Sequence, residues 1–315
     1  MRGIVPWRGE CTLQVHELDF ELGFGCIVTG LAASDLLNPV IVSQLRELWR
    51  DRGLIVFRGG QDDPDFQVDL SRCFGELQIH AVAEMLHPER TELFVAKGGG
   101  GALFRVNGVE LSGYIPWHSD QVFTAQTNHG GILRVAHRPA VGGNTGFIDQ
   151  IAAYDALPEE LQSRIDGLDV VYRMQAGTTP NFRFLPREHI ELIRPNPFQD
   201  GINKRIESGE YPPVVHPLVF TQPETGRKVL NLSPMFADRI LGLEDRASEE
   251  LLRRLAYHIT EERRCYDHSW QPGDMVLWDN WRMIHCARGI PDGLYREVHR
   301  TSIAGDYALG RVLAA

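Results

Sequence analysis

Apolar and polar positions along the chain follow two spacings, one helical and one typical of strands. The stretch from Asn38 to Gly53 opens with Asn-Pro, continues as an amphipathic run and ends in glycine. An N-cap residue, a first-turn proline and a terminating glycine in this order predict a helix. A second helix is predicted from Asp63-Pro64 to about Cys73, and a third, strongly amphipathic one over residues 245–260.

Short apolar runs bounded by turn residues predict strands through most of the remaining chain. A hairpin is predicted across the Pro-Glu-Thr-Gly segment between residues 216–222 and 227–233. The other principal runs are LIVFRG (54–59), TELFVAK (91–97), WHSDQVF (117–123), GGILRVAH (130–137), TGFID (145–149), DVVYRM (169–174), MVLWD (275–279) and REVHRTSIAGD (296–306).

Many short strands interrupted by helices favour a mainly β fold, a jelly roll with helical additions. A doubly wound parallel sheet would need regular strand–helix alternation, which the second half lacks. We predict a single domain over residues 1–315. Within it, the glycine-rich segment at about 97–114 is predicted to be a mobile loop, and the irregular segment at about 174–213 a lid.

Charge and cysteine content limit the possible partners and compartment. The net charge is −10, so a nucleic-acid binder, which needs a basic face, is not expected. Five cysteines with no CxxC spacing indicate a reducing compartment rather than a disulfide framework. The N-terminus lacks the apolar stretch of a signal peptide, and no apolar run reaches membrane-spanning length. We therefore expect a cytoplasmic protein without a membrane partner.

The strongest chemical candidate is His118-Ser119-Asp120. On a strand, residues two apart face the same side, so an imidazole and a carboxylate would converge. Two further His-x-Glu segments, at 87–89 and 189–191, lie in turn-like and helix-like surroundings where such residues diverge. An ordinary polar strand face remains the alternative for His118 and Asp120 taken alone.

Three more elements carry candidate chemistry. His285 follows the apolar strand and the segment Trp278-Asp279-Asn280, where a lone histidine is more often a core residue. Two histidines and one carboxylate, however, form the facial triad that suits non-haem Fe(II) and leaves three positions open. Arg296 and Arg300 are four residues apart on a predicted strand, so their side chains point to the same side. The alternative to a functional role is that both belong to a solvated, charged edge of the sheet. Thr145 follows the glycine pair at 142–143, which by itself predicts a hairpin turn.

Together these segments resemble the TauD/TfdA family of 2-oxoglutarate dioxygenases. The likeness runs from about Phe24 to Asp306. It includes LIVFRG, SRCFGEL, WHSDQVF, GGNTGFIDQIAAYDALPEEL, HPLVFTQPETGRKVLNLS, WQPGDMVLWDN and HRTSIAGD, all in the order found in the family. Two positions depart from its pattern. Asn144 replaces an Asp or Glu, and Trp281 replaces an Arg.

The resemblance implies a double-stranded β-helix and assigns roles by position. His118, Asp120 and His285 would bind Fe(II), and Arg296 and Thr145 would grip the far carboxylate of the cosubstrate 2-oxoglutarate. O2 would be the oxidant. The residues at substrate-binding positions are Arg300, His80 and Tyr114.

The substrate expected from the sequence is a small organic acid. Arg300 would lie about 13 Å from Arg296 along the strand, too far to share one carboxylate, so it needs a second anion or a buried acidic partner. Phe182, Phe184 and Phe198 would cover the rest of the substrate. Hydroxylation is the expected outcome, with desaturation or oxidative cleavage as alternatives.

Two other classes of protein stay open from the residues alone. The same triad could hold zinc in a hydrolase, or metal in a non-catalytic jelly roll that serves as a binding module. A dimeric or tetrameric homo-oligomer is also expected.

Overall fold

The computed structural model describes residues 13–19, 21–79, 85–99, 101–174, 182–185, 188–197 and 199–314. The helices formed in these ranges are α1 (Pro39–Arg52), α2 (Pro64–Arg72), α3 (Gln150–Asp155), α4 (Glu159–Ile165), α5 (Gln199–Glu207) and α6 (Asp245–Ile259). The strands are β1 (Gln14–Glu17), β2 (Cys26–Thr29), β3 (Leu54–Arg58), β4 (Leu77–Gln78), β5 (Phe94–Gly98), β6 (Leu103–Val106), β7 (Val109–His118), β8 (Gly130–His137), β9 (Thr145–Asp149), β10 (Asp169–Tyr172), β11 (Ile190–Arg194), β12 (Val214–Pro217), β13 (Val219–Thr221), β14 (Lys228–Leu230), β15 (Ala237–Ile240), β16 (Cys265–His268), β17 (Met275–Asp279), β18 (Met283–Pro291), β19 (Arg296–Ile303) and β20 (Arg311–Val312).

Two largely antiparallel sheets form the body of the fold. The larger has the order β1-β2-β3-β17-β8-β19-β4, with β5 also paired to β19, and the smaller the order β11-β6-β7-β18-β9-β16. Only β2 and β3 pair in parallel among these strands. Side chains from both sheets line one shared cavity. This arrangement confirms the predicted mainly β jelly roll, or double-stranded β-helix.

Helices cover the outer face of the larger sheet. The apolar sides of α1 and α2 pack against alternate residues of β3 and β17, such as Ile55 and Leu277. The predicted ends of α1 are confirmed: the Asn38 side chain accepts a hydrogen bond from the Val40 amide, and Gly53 ends the helix at φ +72°. The opposite residues of the same strands, including Val276 and Trp278, face the interior.

The outer face of the smaller sheet is covered by α3, α4 and α6. A large apolar cluster joins leucines of α6 to Ile148 of β9 and Ile284 of β18. A third sheet of order β15-β10-β12-β20 contributes to the same cluster. Both layers of helix therefore hold the two main sheets from outside, and the interior between the sheets stays available for a site.

The prediction of a mobile loop at about 97–114 is wrong for the central part of this segment. Residues Leu103–Val106 and Val109–His118 form the antiparallel hairpin β6–β7. Asn107 and Gly108 make its turn, with φ of 49° and 88°. Asn-Gly between apolar runs is a strong hairpin signal, but the preceding glycine run masked it in the sequence.

The segment at about 174–213 contains regular structure in its described parts. A short 3-10 helix spans Phe182–Phe184, β11 extends the smaller sheet by pairing with β6, and α5 follows. Phe184 is fully buried in the apolar cluster beneath α6. It does not cover the cavity as predicted, because that cluster offers it a larger apolar surface. Phe198 lies outside the described residues, and the lid itself stays a prediction.

A fully buried ion pair ties the two sheets to α1. Arg282 donates to both carboxylate oxygens of Asp149, at 3.1 and 2.6 Å, and to the carbonyls of Arg50 and Asp51 at 3.1 Å. Its side chain is 1% exposed and that of Asp149 is 2% exposed. Each buried charge is thus paired and hydrogen-bonded.

We predict that Arg282→Met lowers the free energy of unfolding by about 3–5 kcal/mol, because it leaves Asp149 as an uncompensated buried charge. The matched control is Arg246→Met on α6, where Arg246 pairs with Glu250 at 3.0 Å and its side chain is 91% exposed. This control should cost less than about 1 kcal/mol. Urea denaturation followed by circular dichroism measures both values. Equal losses in the two variants would contradict the structural role of the Arg282–Asp149 pair.

Candidate active site

Strand pairing places the two histidines side by side. His118 ends β7, His285 lies near the start of β18, and the two residues are direct partners in the antiparallel register. Their ring centroids are 4.2 Å apart. The rings of Trp278 and Phe236 pack around them, at 4.9 Å from His285 and 6.1 Å from His118. The imidazoles are therefore held in a largely apolar setting.

Asp120 completes the cluster from a turn, not from the strand. β7 ends at His118, and Gln121 just beyond Asp120 has φ +56°. The Asp120 Oδ1 atom lies 3.7 Å from His118 Nε2 and 3.9 Å from His285 Nε2. One ligand atom from each of the three residues fits within a 4.8 Å span. The predicted convergence is confirmed, but strand alternation is not its cause.

Asn280 holds the backbone of Asp120 in place. Its Oδ1 accepts from the Asp120 amide at 2.8 Å, and its Nδ2 donates to the Asp120 carbonyl at 3.0 Å. The same amide group donates to the carbonyl and side chain of Asn128. Asn280 thus connects the turn after β7 to the segment that leads into β18. The segment Trp278-Asp279-Asn280 is part of the family resemblance, but no local sequence signal predicts the contact of Asn280 with Asp120.

Both histidines are in the form that binds metals. His118 Nδ1 is 2.7 Å from the Pro116 carbonyl, which can only accept, so Nδ1 carries the hydrogen and Nε2 presents its lone pair to Asp120. Burial lowers the pKa of His118 and lowers that of His285 to about 3. Two neutral imidazoles and one carboxylate make a donor set suited to Fe(II).

Arg300 contacts Asp120 directly. Its Nη1 donates to Asp120 Oδ1 at 2.9 Å and to Oδ2 at 2.8 Å. Burial alone would raise the pKa of Asp120, but the charge of Arg300, aided by the two histidines, holds it at about 2. The acidic partner that the sequence left as one alternative for Arg300 is therefore present, and it is Asp120. The Arg300 Nε atom is buried and has no hydrogen-bond partner among the described residues.

The two histidines of the cluster, together with Arg300, line a cavity of about 180 Å³ between the two sheets. Arg296, Val298 and Arg300, at alternate positions of β19, all line it. Apart from the histidines and arginines, the walls are mostly apolar. The principal apolar side chains are Phe94, Ile115, Leu133, Phe147, Trp278 and Ile290.

Arg296 is a buried cation without a counter-ion in the described structure. It is 8% exposed, and its Nε and Nη2 atoms have no hydrogen-bond partner. Burial lowers the pKa of Arg296 to about 10, which leaves it charged at neutral pH. An unpaired buried guanidinium is costly, and its position in the cavity wall indicates an anionic ligand. Gly143, at φ +79°, leaves room for it, since a Cβ there would lie 3.3 Å from Arg296 Cδ.

Thr145 lines the same cavity and has its hydroxyl oriented by Trp270. The Trp270 Nε1 group donates to Thr145 Oγ1 at 3.1 Å. Because that bond occupies an acceptor position, the hydroxyl hydrogen stays available for a ligand. The contact between Trp270 and Thr145 joins residues 125 positions apart, so no local sequence signal predicts it.

Of the residues predicted for the substrate pocket, Tyr114 is placed elsewhere by the structure. Tyr114 lies on the opposite face of β7, where its hydroxyl donates to Glu188 and its ring packs on Phe104 at 6.0 Å. An irregularity in the β7–β18 register, next to His285, changes which residues of β7 face inward. His80 lies outside the described residues.

The two positions that depart from the family pattern have local partners. Trp281 stacks between His129 and Tyr307, with ring centroids at 3.8 and 3.6 Å. Asn144 donates to the Asp267 carboxylate at 2.8 Å, so an acidic group is present next to it, on β16. Neither contact reaches the metal-binding cluster, and both tie outer segments to the sheets.

Comparison with known proteins decides the family. A family model described as "Taurine catabolism dioxygenase TauD, TfdA family" matches residues 20–302. The chain belongs to the TauD/TfdA family. Among its relatives, the (S)-phenoxypropionate/alpha-ketoglutarate-dioxygenase of Sphingobium herbicidovorans is 31% identical over 92% of this chain and 95% of that protein. Pentalenolactone F synthase of Streptomyces arenae is 29% identical, covering 89% of this chain and 91% of its own length.

A solved structure supports the fold of this TauD/TfdA member. A taurine dioxygenase from Burkholderia xenovorans superimposes with a TM-score of 0.74 over 97% of this chain and 96% of that chain, at 24% identity. Family membership confirms the predicted reaction class. The protein is a non-haem iron dioxygenase that uses Fe(II), 2-oxoglutarate and O2. No helix in the described ranges is long and apolar enough to cross a membrane.

Proposed function

We propose that this dioxygenase hydroxylates a small organic acid at a metal held by His118, Asp120 and His285. The observation that supports it most is a cavity lined by both histidines of a buried two-histidine, one-carboxylate cluster and by Arg296, whose guanidinium Nε and Nη2 have no hydrogen-bond partner among the described residues. A metal centre alone would fit several reactions. The additional buried cation requires an anion, and 2-oxoglutarate is an anion that also binds iron.

The bound iron and 2-oxoglutarate supply the oxidising chemistry, in which O2 contributes one oxygen atom to a substrate C–H bond and the other to succinate, with release of CO2. The protein's contribution is binding and orientation. Three protein ligands leave three positions free for the cosubstrate and O2. The apolar side chains around the cluster exclude water from the reacting centre.

Arg296 and Thr145 orient the cosubstrate in this proposal. The planar guanidinium matches a carboxylate with two parallel hydrogen bonds, which sets both position and direction. The Thr145 hydroxyl adds one neutral hydrogen bond. Arg296 lies four residues from Arg300 on β19, about 13 Å away, so 2-oxoglutarate would extend from Arg296 toward the metal.

The proposed substrate is an acid because Arg300 has unused donors. Its Nη1 is occupied by Asp120, whereas the Nε on its other edge is buried and has no hydrogen-bond partner among the described residues. A carboxylate would fit that edge, and the apolar surface of Phe94 and Ile115 would contact the remainder of the substrate. The name of the Sphingobium relative, which denotes a phenoxy acid, points to the same class.

The metal assignment predicts that His118→Ala, Asp120→Ala and His285→Ala each abolish succinate formation while the protein stays folded. Loss of a ligand should weaken metal binding beyond the roughly 10–100-fold effect typical of outer-shell residues. The control is His189→Ala, which alters the exposed His-Ile-Glu segment on the surface. Succinate release and Mn(II) titration measure the two effects. Normal turnover by any of the three ligand variants would refute the assignment.

The cosubstrate assignment predicts unequal effects at two positions. Arg296→Met should raise the Kd for 2-oxoglutarate by roughly 30-fold to several-thousand-fold. The reason is that loss of one partner of a hydrogen-bonded charge pair costs about 2–5 kcal/mol of binding free energy. Thr145→Val keeps the shape and removes one neutral hydrogen bond, so about 0.5–1.5 kcal/mol is expected. Calorimetric titration of the Mn(II)-loaded protein gives both constants. Equal shifts would show that Arg296 is not the anchor.

The substrate assignment predicts that acids are preferred over their amides. Aryloxyalkanoates, alkyl carboxylates and sulfonates should support substrate-dependent succinate release, with kcat/KM at least about 30-fold above that of the matching amides, given the same charge-pair range. Mass spectrometry of the products separates hydroxylation, a gain of one oxygen atom, from desaturation. Amides that turn over as well as acids would exclude an anion-binding role for Arg300.

A further inference from the structure

The two carboxylate oxygens of Asp120 have different surroundings. Oδ1 is the oxygen that lies near both histidine Nε2 atoms, at 3.7 and 3.9 Å. Oδ2 is bonded to Arg300 Nη1 at 2.8 Å and has no other hydrogen-bond partner among the residues described. One oxygen therefore faces the metal-binding cluster, and both are reached by the same guanidinium nitrogen.

Neither partner of this contact is free to move far. Arg300 lies within β19, where it pairs with Phe94 of β5 on one side and Leu133 of β8 on the other. Its guanidinium carbon stacks 5.3 Å from the Phe94 ring centroid. On the other side, Asn280 holds the amide and carbonyl of Asp120. The orientation of the carboxylate is thus determined from both ends.

The number of oxygens that a carboxylate gives to a metal matters at this site. A carboxylate can bind a divalent ion through one oxygen or through both. In a six-coordinate ion, two histidines and a monodentate carboxylate leave three positions, which 2-oxoglutarate and O2 require. A chelating carboxylate would leave only two coordination positions. The cosubstrate alone would occupy both, and no position would remain for O2.

We propose that Arg300 is a positioning residue that keeps Asp120 monodentate by holding Oδ2 away from the metal. The charge-assisted hydrogen bond competes with chelation and preserves the third open position. This inference rests on the proposed ligand set and assigns Arg300 a function that needs no substrate. The Nε of the same guanidinium has no hydrogen-bond partner among the described residues.

The test uses the full-length protein loaded with Co(II), without primary substrate and without O2. Arg300→Met removes the hydrogen bond, and Arg300→Ala provides a second variant should the first not fold. Either variant should change the Co(II) ligand-field absorption, which reports the donor atoms and geometry around the ion, and should weaken 2-oxoglutarate binding by about 10- to 100-fold, the usual effect of an outer-shell residue. Arg300→Lys keeps a donor near Oδ2 and should restore most of both properties.

Arg296→Met is the matched control, because it removes the other guanidinium of the cavity without touching Asp120. It should weaken 2-oxoglutarate binding but leave the Co(II) spectrum of the cosubstrate-free protein unchanged. A crystal structure of Arg300→Met with Mn(II) should place both Asp120 oxygens at bonding distance from the metal, whereas one oxygen is expected in the parent protein.

The outcomes separate this inference from the proposed function. If His118→Ala keeps the Co(II) spectrum of the parent, the ligand set is wrong and the positioning role falls with it. If His118→Ala abolishes that spectrum while the folded Arg300 variants match the parent in spectrum and 2-oxoglutarate affinity, only the positioning role is overturned.

Discussion

The pairing of β7 with β18 is the constraint on which the site depends. Opposed residues of two antiparallel strands lie about 4.5–5.5 Å apart, so the register that matches His118 with His285 sets the distance between the imidazoles. β18 also pairs with β9, and Thr145 is thereby positioned opposite Ala287. One central strand thus relates the histidine pair at one end of the cavity to Thr145 at the other. A slip of one residue would turn His285 to the opposite face of the sheet.

Elements defined by local signals were predictable from the sequence, whereas contacts between distant segments were not. Asn38, Pro39 and Gly53 mark the ends of α1 through their own backbone chemistry, and the structure agrees. The position of Asp120 instead depends on Asn280, 160 residues further along. Likewise, the outward direction of Tyr114 follows from a register irregularity that only the partner strand reveals. The three clustered side chains were found because residue type and family resemblance identify them without their geometry.

Three arginines, two of them buried and one partly buried, show how the fold separates stability from chemistry. Arg282 has all of its charge matched by Asp149 and by backbone carbonyls, and it holds the sheets to α1. Arg296 has no such compensation among the described residues, and its burial is unfavourable until an anion arrives. Arg300 is intermediate, with one nitrogen engaged by Asp120. In a chain of net charge −10, the proposed binding of acids therefore depends on a few local cations and not on overall charge.

The four-residue separation of Arg296 and Arg300 on β19 affects how such an enzyme can diversify during evolution. Hydrogen bonds to neighbouring strands fix this interval, so the proposed cosubstrate end at Arg296 and the proposed substrate end at Arg300 keep a constant separation. Replacements at positions such as Phe94 or Ile115, near the substrate end, can alter the shape of the accepted molecule without disturbing Arg296 and Thr145. The relatives about 30% identical include a phenoxypropionate dioxygenase and a pentalenolactone F synthase, names that denote different small molecules. New substrates would arise through changes in the apolar wall of the cavity, while the metal-binding cluster and Arg296 are retained.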